Sequence, residues 1–128
     1  MNKSGASLAP LVKNKKAAER LVVVHDDLDL PIGSLKIVFN RGSGGHKGVE
    51  SIKRAIKTEG FIRVRIGISP ATFSGKIKKP DAALMNDFIL GEFRPKEKDL
   101  LKKIIKRTAD ILATIATEGR AKAMNEFN

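Results

Sequence analysis

The chain has 128 residues, of which 25 are Lys or Arg and 14 Asp or Glu, for a net charge of +11. That length fits one domain with a single core. Without cysteine there is neither a disulfide framework nor a thiolate metal site, no apolar run approaches a membrane span, and the opening residues do not read as a signal peptide. The basic excess is spread over several segments and points to a polyanionic partner, nucleic acid or an acidic membrane. A solvated basic surface is the plainer alternative.

In chain order, residues 4–14 read as a weak amphipathic helix with Leu8, Leu11 and Val12 on its apolar side and Pro10 near the first turn. Residues 13–16 with Glu19 and Arg20 read as a polar connection. Residues 21–25 are a strand, and Pro31 and Gly33 mark a turn. Residues 34–39 alternate, Leu35, Ile37 and Phe39 against Lys36 and Val38, as a half-buried strand does. A loop with three glycines precedes a helix over 46–58, whose Val49, Ile52 and Ile56 recur at helical spacing and which Gly60 ends. Residues 61–69 are the clearest strand, Ile62, Val64, Ile66 and Ile68 alternating with Arg63, Arg65, Gly67 and Ser69. Residues 70–81 form a lysine-rich loop, and 82–93 a short helical turn before Phe88-Ile89-Leu90. Pro95 opens the longest helix, with Leu101, Ile104, Ile105, Thr108, Ile111, Leu112 and Ile115 as its buried stripe and Gly119 closing it.

Two segments carry chemistry. The first is Leu21-Val22-Val23-Val24-His25-Asp26-Asp27-Leu28-Asp29-Leu30-Pro31, an apolar strand whose tip bears carboxylates. Ligands of open α/β sheets bind in the crevice beyond such tips. The second is Ser43-Gly44-Gly45-His46-Lys47-Gly48, a glycine turn opening a helix, where backbone N–H groups meet the positive end of the helix dipole. A carboxylate at a strand tip can orient a histidine base; equally, Asp26 and Asp29 can cap turns around Leu30-Pro31. His25 and His46, the two histidines, read as local packing or turn residues, and they are a poor basis for a metal site.

These segments resemble the bacterial-type peptidyl-tRNA hydrolases, with H-D-[DE]-L-D-L-P at the strand tip and G-G-H-[NK]-G at the turn. Met1-Asn2-Lys3-Ser4-Gly5 is similar to the family's M-N-x-S-G, and Phe61-Ile62-Arg63-Val64-Arg65-Ile66-Gly67-Ile68 to its F-x-R-[LV]-R-I-G-I strand. Phe88-Ile89-Leu90-Gly91-Glu92-Phe93 and the tail Ala123-Met124-Asn125-Glu126-Phe127-Asn128 match in order as well. The resemblance covers the whole chain and makes it an N-terminally truncated member, because M-N-x-S-G lies roughly a third of the way along the family's sequence. The part before it would hold the opening strand, its G-L-G-N-P-G turn and the histidine that acts as base.

The resemblance implies an α/β fold: a single domain with a mixed, mostly parallel sheet flanked by helices, lacking its N-terminal strands. It implies hydrolysis of the ester between a peptide and the 3′ end of tRNA, in the cytoplasm, with neither cofactor nor metal and no membrane. Asp26 would hold the catalytic histidine, and Asp29 would support the surrounding loop. Asn2, His46 and Lys47 would bind substrate. Many family members have asparagine where Lys47 stands; lysine cannot accept a hydrogen bond and could instead grip a phosphate. Lys36 and Arg65 would contact tRNA phosphates, with Arg41, Lys76, Lys78 and Lys79 as further candidates, and Arg63 is read as sharing a strand face with Arg65. Lys102, Lys103, Lys106 and Arg107 read as a solvated helix face. With no Trp or Tyr, recognition of phosphates is favoured over base stacking. The full-length family is expected to be monomeric, and a chain without the central opening strand to be marginally stable and to self-associate through exposed edges.

Two other readings stand beside it. One is an RNA-binding protein of the same fold without catalysis. The other is a small-anion-binding domain that uses the turn at 42–48.

Overall fold

The computed structural model describes residues 3–70 and 95–128. The elements run α1 (Ser4–Leu8), α2 (Lys15–Ala18), β1 (Val22–Pro31), β2 (Leu35–Phe39), α3 (Lys47–Ile56), β3 (Ile62–Ser69), α4 (Pro95–Glu118) and α5 (Arg120–Phe127). The strands lie side by side in the order β1-β3-β2. Ile62 N donates to Leu21 O and Ile32 N to Ser69 O, so numbers rise together and β1 runs parallel to β3. Asn40 N donates to Phe61 O and Gly67 N to Ser34 O, so β2 is antiparallel to β3. The fold is α/β with a mixed sheet, as the sequence implied.

The chain divides into two compact units, Met1–Val23 with Ile37–Val64, and Val24–Lys36 with Arg65–Asn128. In the first unit Ala18, Val23, Val49, Ile52, Ile56 and Phe61 form a core, with Leu8, Val12 and Leu21 packed against it. The three residues of α3 in this core are those whose spacing put them on one face. Each such side chain, fully buried, contributes about 1.5–3 kcal/mol. Helix α1 packs on α3, and Gly5 N donates to Ser51 Oγ at 3.1 Å.

Several local expectations are corrected here. The helix expected over 4–14 stops at Leu8, because Pro10 has no N–H to bond the carbonyl of Ala6. The connection expected around residues 13–16 contains α2: Asn14 caps it by accepting from Ala17 N at 2.7 Å, and Ala18 is fully buried. Helix α3 ends at Ile56 and not at Gly60, through Lys57 in the left-handed region at φ 58°.

β3 also departs from expectation. Alternation predicted one wet face, yet Phe61, Ile62, Arg63 and Val64 are all buried. β3 is the central strand, and this first half of it is buried on both faces, as strands with a parallel neighbour commonly are.

In the second unit α4 and α5 pack together, joined at Gly119 with φ 90°. Ile104, Ile111 and Ala123 are buried, whereas Ile105 and Leu112 of the expected stripe are exposed. Those two each follow a buried residue, and one step along a helix turns the side chain by roughly 100°. The lysine-rich loop at 70–81, beyond Pro70, and the segment 82–93 lie outside the described residues.

Candidate functional site

The tip of β1 lies in the second unit. His25 is buried, and its Nδ1 donates to the carbonyl of Asp26 at 2.7 Å; a carbonyl only accepts, so that nitrogen carries the proton. Asp26 follows, half-buried, and Asp29 is exposed. Beyond them Ser69 fastens the chain twice. Its Oγ donates to Leu28 O at 2.6 Å and its carbonyl accepts from Ile32 N at 2.8 Å. Both ends of the segment 28–32 are thereby tied to one residue of β3, and Leu30 and Pro31 between them lie close against Gly67. Gly67 makes room for this, since a Cβ there would collide with the carbonyl of Pro31.

Asp27 organises the charges. Its Oδ1 accepts from Asp29 N at 2.7 Å, and its Oδ2 from Arg65 Nε at 2.5 Å. The side chains of Arg65 and Asp27 are 20% and 12% exposed. Burial by itself would raise the Asp27 carboxyl pKa. The hydrogen bonds from Arg65 and from the Asp29 amide, with the charges of Arg65 and His25, outweigh burial and hold it below the ordinary value.

Arg65 is engaged through Nε. Its two terminal nitrogens have no partner among the described residues, and neither is buried. The Gly67 N to Ser34 O bond fixes the β2–β3 register, and it sets Lys36 directly opposite Arg65. Directly opposed residues point to one face, with Cβ atoms roughly 4.5–5.5 Å apart. Lys36 is exposed. One row across three strands thus reads Asp27, Arg65, Lys36.

The glycine turn lies in the first unit. Gly44 and Gly45 take left-handed φ values of 62° and 86°, which a Cβ would resist. His46 caps α3, its Nδ1 accepting from Val49 N at 3.2 Å. Ser43 Oγ donates to Glu50 Oε1 at 2.5 Å and accepts from Gly45 N at 3.1 Å. The Ser43 hydroxyl holds the Glu50 carboxyl below its usual range, aided by Lys53 and Arg54 against some burial. An anion of the chain's own therefore already stands in the first turn of this helix. Lys47 is exposed at the first helical position. Arg63 does not present a free cation: it is buried and donates to Gly42 O at 2.7 Å, bracing the loop before the turn.

The structure therefore brings Asp26, Lys36 and Arg65 into one unit, and His46 and Lys47 into the other. Arg41 is exposed. So are Lys102, Lys103, Lys106 and Arg107 on α4; Arg107 also donates to Phe127 O at 3.1 Å. Asn2, Lys76, Lys78 and Lys79 lie outside the described residues. Among the described residues no three His, Cys, Asp or Glu side chains gather as metal ligands, and no helix is long and apolar enough to cross a membrane. Sequence reasoning passed over Asp27. Its role depends on the β1–β3 register, which the sequence does not state.

A family model described as peptidyl-tRNA hydrolase matches residues 1–128. The chain is 41% identical to a peptidyl-tRNA hydrolase of Dehalococcoides mccartyi strain BAV1, over 100% of this chain and 66% of that protein. It is 37% identical to one from Thermodesulfovibrio yellowstonii, over 100% of this chain and 65% of the relative. A crystal structure of peptidyl-tRNA hydrolase from Acinetobacter baumannii superposes with a TM-score of 0.82 at 28% identity, covering 100% of this chain and 61% of that one. The chain thus spans 61–66% of the length of these relatives.

Proposed function

The chain belongs to the peptidyl-tRNA hydrolase family, and on that premise we propose that it binds peptidyl-tRNA in the cytoplasm and serves hydrolysis of the ester between peptide and tRNA. The observation that carries this reading is the Asp27, Arg65, Lys36 row beside Asp26. It puts two cations on one face of the sheet, one residue along β1 from the candidate orienting carboxylate of Asp26, whose side chain leaves the strand on the other face. Ester hydrolysis requires a base to activate water, an amide donor for the developing oxyanion and a grip on the polyanion. In this reading Asp26 orients the base, Asn2 serves the oxyanion, His46 and Lys47 shape the substrate turn, and Lys36 and Arg65 hold phosphates.

We assign the base to neither histidine: His25 is 4% exposed, and His46 accepts from Val49 N through Nδ1, so that in the neutral ring Nε2 carries the proton. A missing general base typically removes ~10²–10⁴-fold of rate, so the 128-residue chain is expected to hydrolyse slowly. The test is release of a labelled N-acetyl-aminoacyl group from tRNA. Rates are compared between the chain alone and the chain fused to the part of the Dehalococcoides relative that lies outside the match. Restored turnover that Asp26→Ala abolishes supports the reading. Full activity of the unfused chain, lost on His46→Ala, refutes the assignment of the base. The placement of the two histidines also favours a second reading, RNA binding without catalysis. It predicts tight tRNA binding and no turnover in either form.

A further inference from the structure

We propose that Asp27 is a positioning residue, which holds Arg65 by Nε so that the outer edge of its guanidinium meets a tRNA phosphate. The inference rests on the tRNA-binding reading and deepens it. A carboxylate beside a cation is ordinarily expected to weaken its grip on phosphate, because it neutralises the charge. The geometry here argues the reverse. Asp27 takes only Nε of Arg65, at 2.5 Å. The two terminal nitrogens form the edge of the fork that engages phosphate bidentately, and they have no partner among the described residues and are not buried.

Asp27 is itself fixed. Its second oxygen accepts from Asp29 N at 2.7 Å, and 12% exposure leaves it little room to move. The chain around Asp29 is anchored in turn, because Leu28 accepts from the buried hydroxyl of Ser69. Arg65 therefore stands on a braced support and not on a free side chain. Lys36 stands opposite Arg65, and two like charges in that relation repel. The carboxylate offsets this repulsion and keeps Arg65 from swinging away from Lys36. The result is a fixed guanidinium edge with a second cation, Lys36, opposite it on the same face.

The test is binding of deacylated tRNA to the 128-residue chain across a salt series, for wild type, Asp27→Ala, Arg65→Ala and the double variant. Asp27→Ala is expected to weaken binding about threefold to tenfold, approaching the loss of one charge-assisted contact. The slope of log affinity against log salt should fall by about one for both single variants. Asp27→Asn, which keeps an acceptor for Arg65, should retain most of the affinity. In the Arg65→Ala background, Asp27→Ala should add no further loss. A general folding defect would weaken binding in that background too, and that outcome overturns the proposal. Tighter or unchanged binding by Asp27→Ala overturns it as well, and leaves Asp27 a plain competing charge. A wild-type chain that does not bind tRNA overturns the parent reading instead, and this one with it.

Discussion

Arg63 and Arg65 stand two residues apart on β3 and serve different ends. Arg63 is buried, and its guanidinium braces the carbonyl of Gly42 ahead of the glycine turn. Arg65 keeps a carboxylate at one side, and the outer edge of its fork has no partner among the described residues. A net charge of +11 counts both alike. Only burial and partners separate a cation spent on the fold from one available to a polyanion, so charge totals overstate the binding surface.

The comparison breaks most clearly in stability. Arg63→Ala should empty a buried site and strip Gly42 of its donor, at a cost of about 2–4 kcal/mol. Chemical denaturation would read this. Affinity for tRNA, corrected for the folded fraction, should stay near wild type. If Arg63→Ala left stability unchanged and abolished binding, the roles given to the two arginines would be reversed. Arg65→Ala should cost less, about 1–2 kcal/mol, mainly by leaving Asp27 half-buried without its partner, and it should lower tRNA affinity about tenfold.

Acid sharpens the comparison further. The Asp27 carboxyl is held below its ordinary value in the folded chain. Its contribution to stability is therefore complete above the unfolded value, about 3.9, and is lost as pH falls through the lowered one. Without Arg65 the balance shifts toward burial, which raises the carboxyl pKa. The stability gap between wild type and Arg65→Ala should thus be widest near neutrality and narrow below about pH 4. Melts at a series of pH values would measure the gap, and one that stays constant would mean the pair contributes nothing.

Much of this molecule could be read from the sequence, and what could not has common causes. Strand 61–69, the long helix from Pro95 and the buried face of α3 follow from local periodicity, which needs no knowledge of neighbours. The two-sided burial of β3 does not, because alternation cannot tell a central strand from an edge one. Asp26 stood out through a motif, while Asp27 beside it did not. Its importance arises only when β1 lies parallel to β3 in the observed register and Arg65 comes within reach. Helix α2 did not show in the sequence because a four-residue helix has too little periodicity to detect, and its Asn14 cap emerges only in the structure.

The smallest expected effect tests the glycine turn against the strand tip. His46 accepts from Val49 N and so caps α3. Removing a cap costs typically ~1 kcal/mol, and His46→Ala should lower stability by about that much. Asparagine is a strong N-cap, so His46→Asn should recover the stability. Binding then separates two roles that stability alone confounds. If His46 serves only the helix, His46→Asn restores tRNA affinity together with the melting temperature. If the ring also touches the substrate, stability returns and affinity does not. The second outcome is expected under the family reading, in which we propose that the turn meets the substrate as well as opening the helix. At Asp27 an affinity loss is expected to run through Arg65; a loss at His46 that persists in Arg65→Ala would mark the turn as an independent contact.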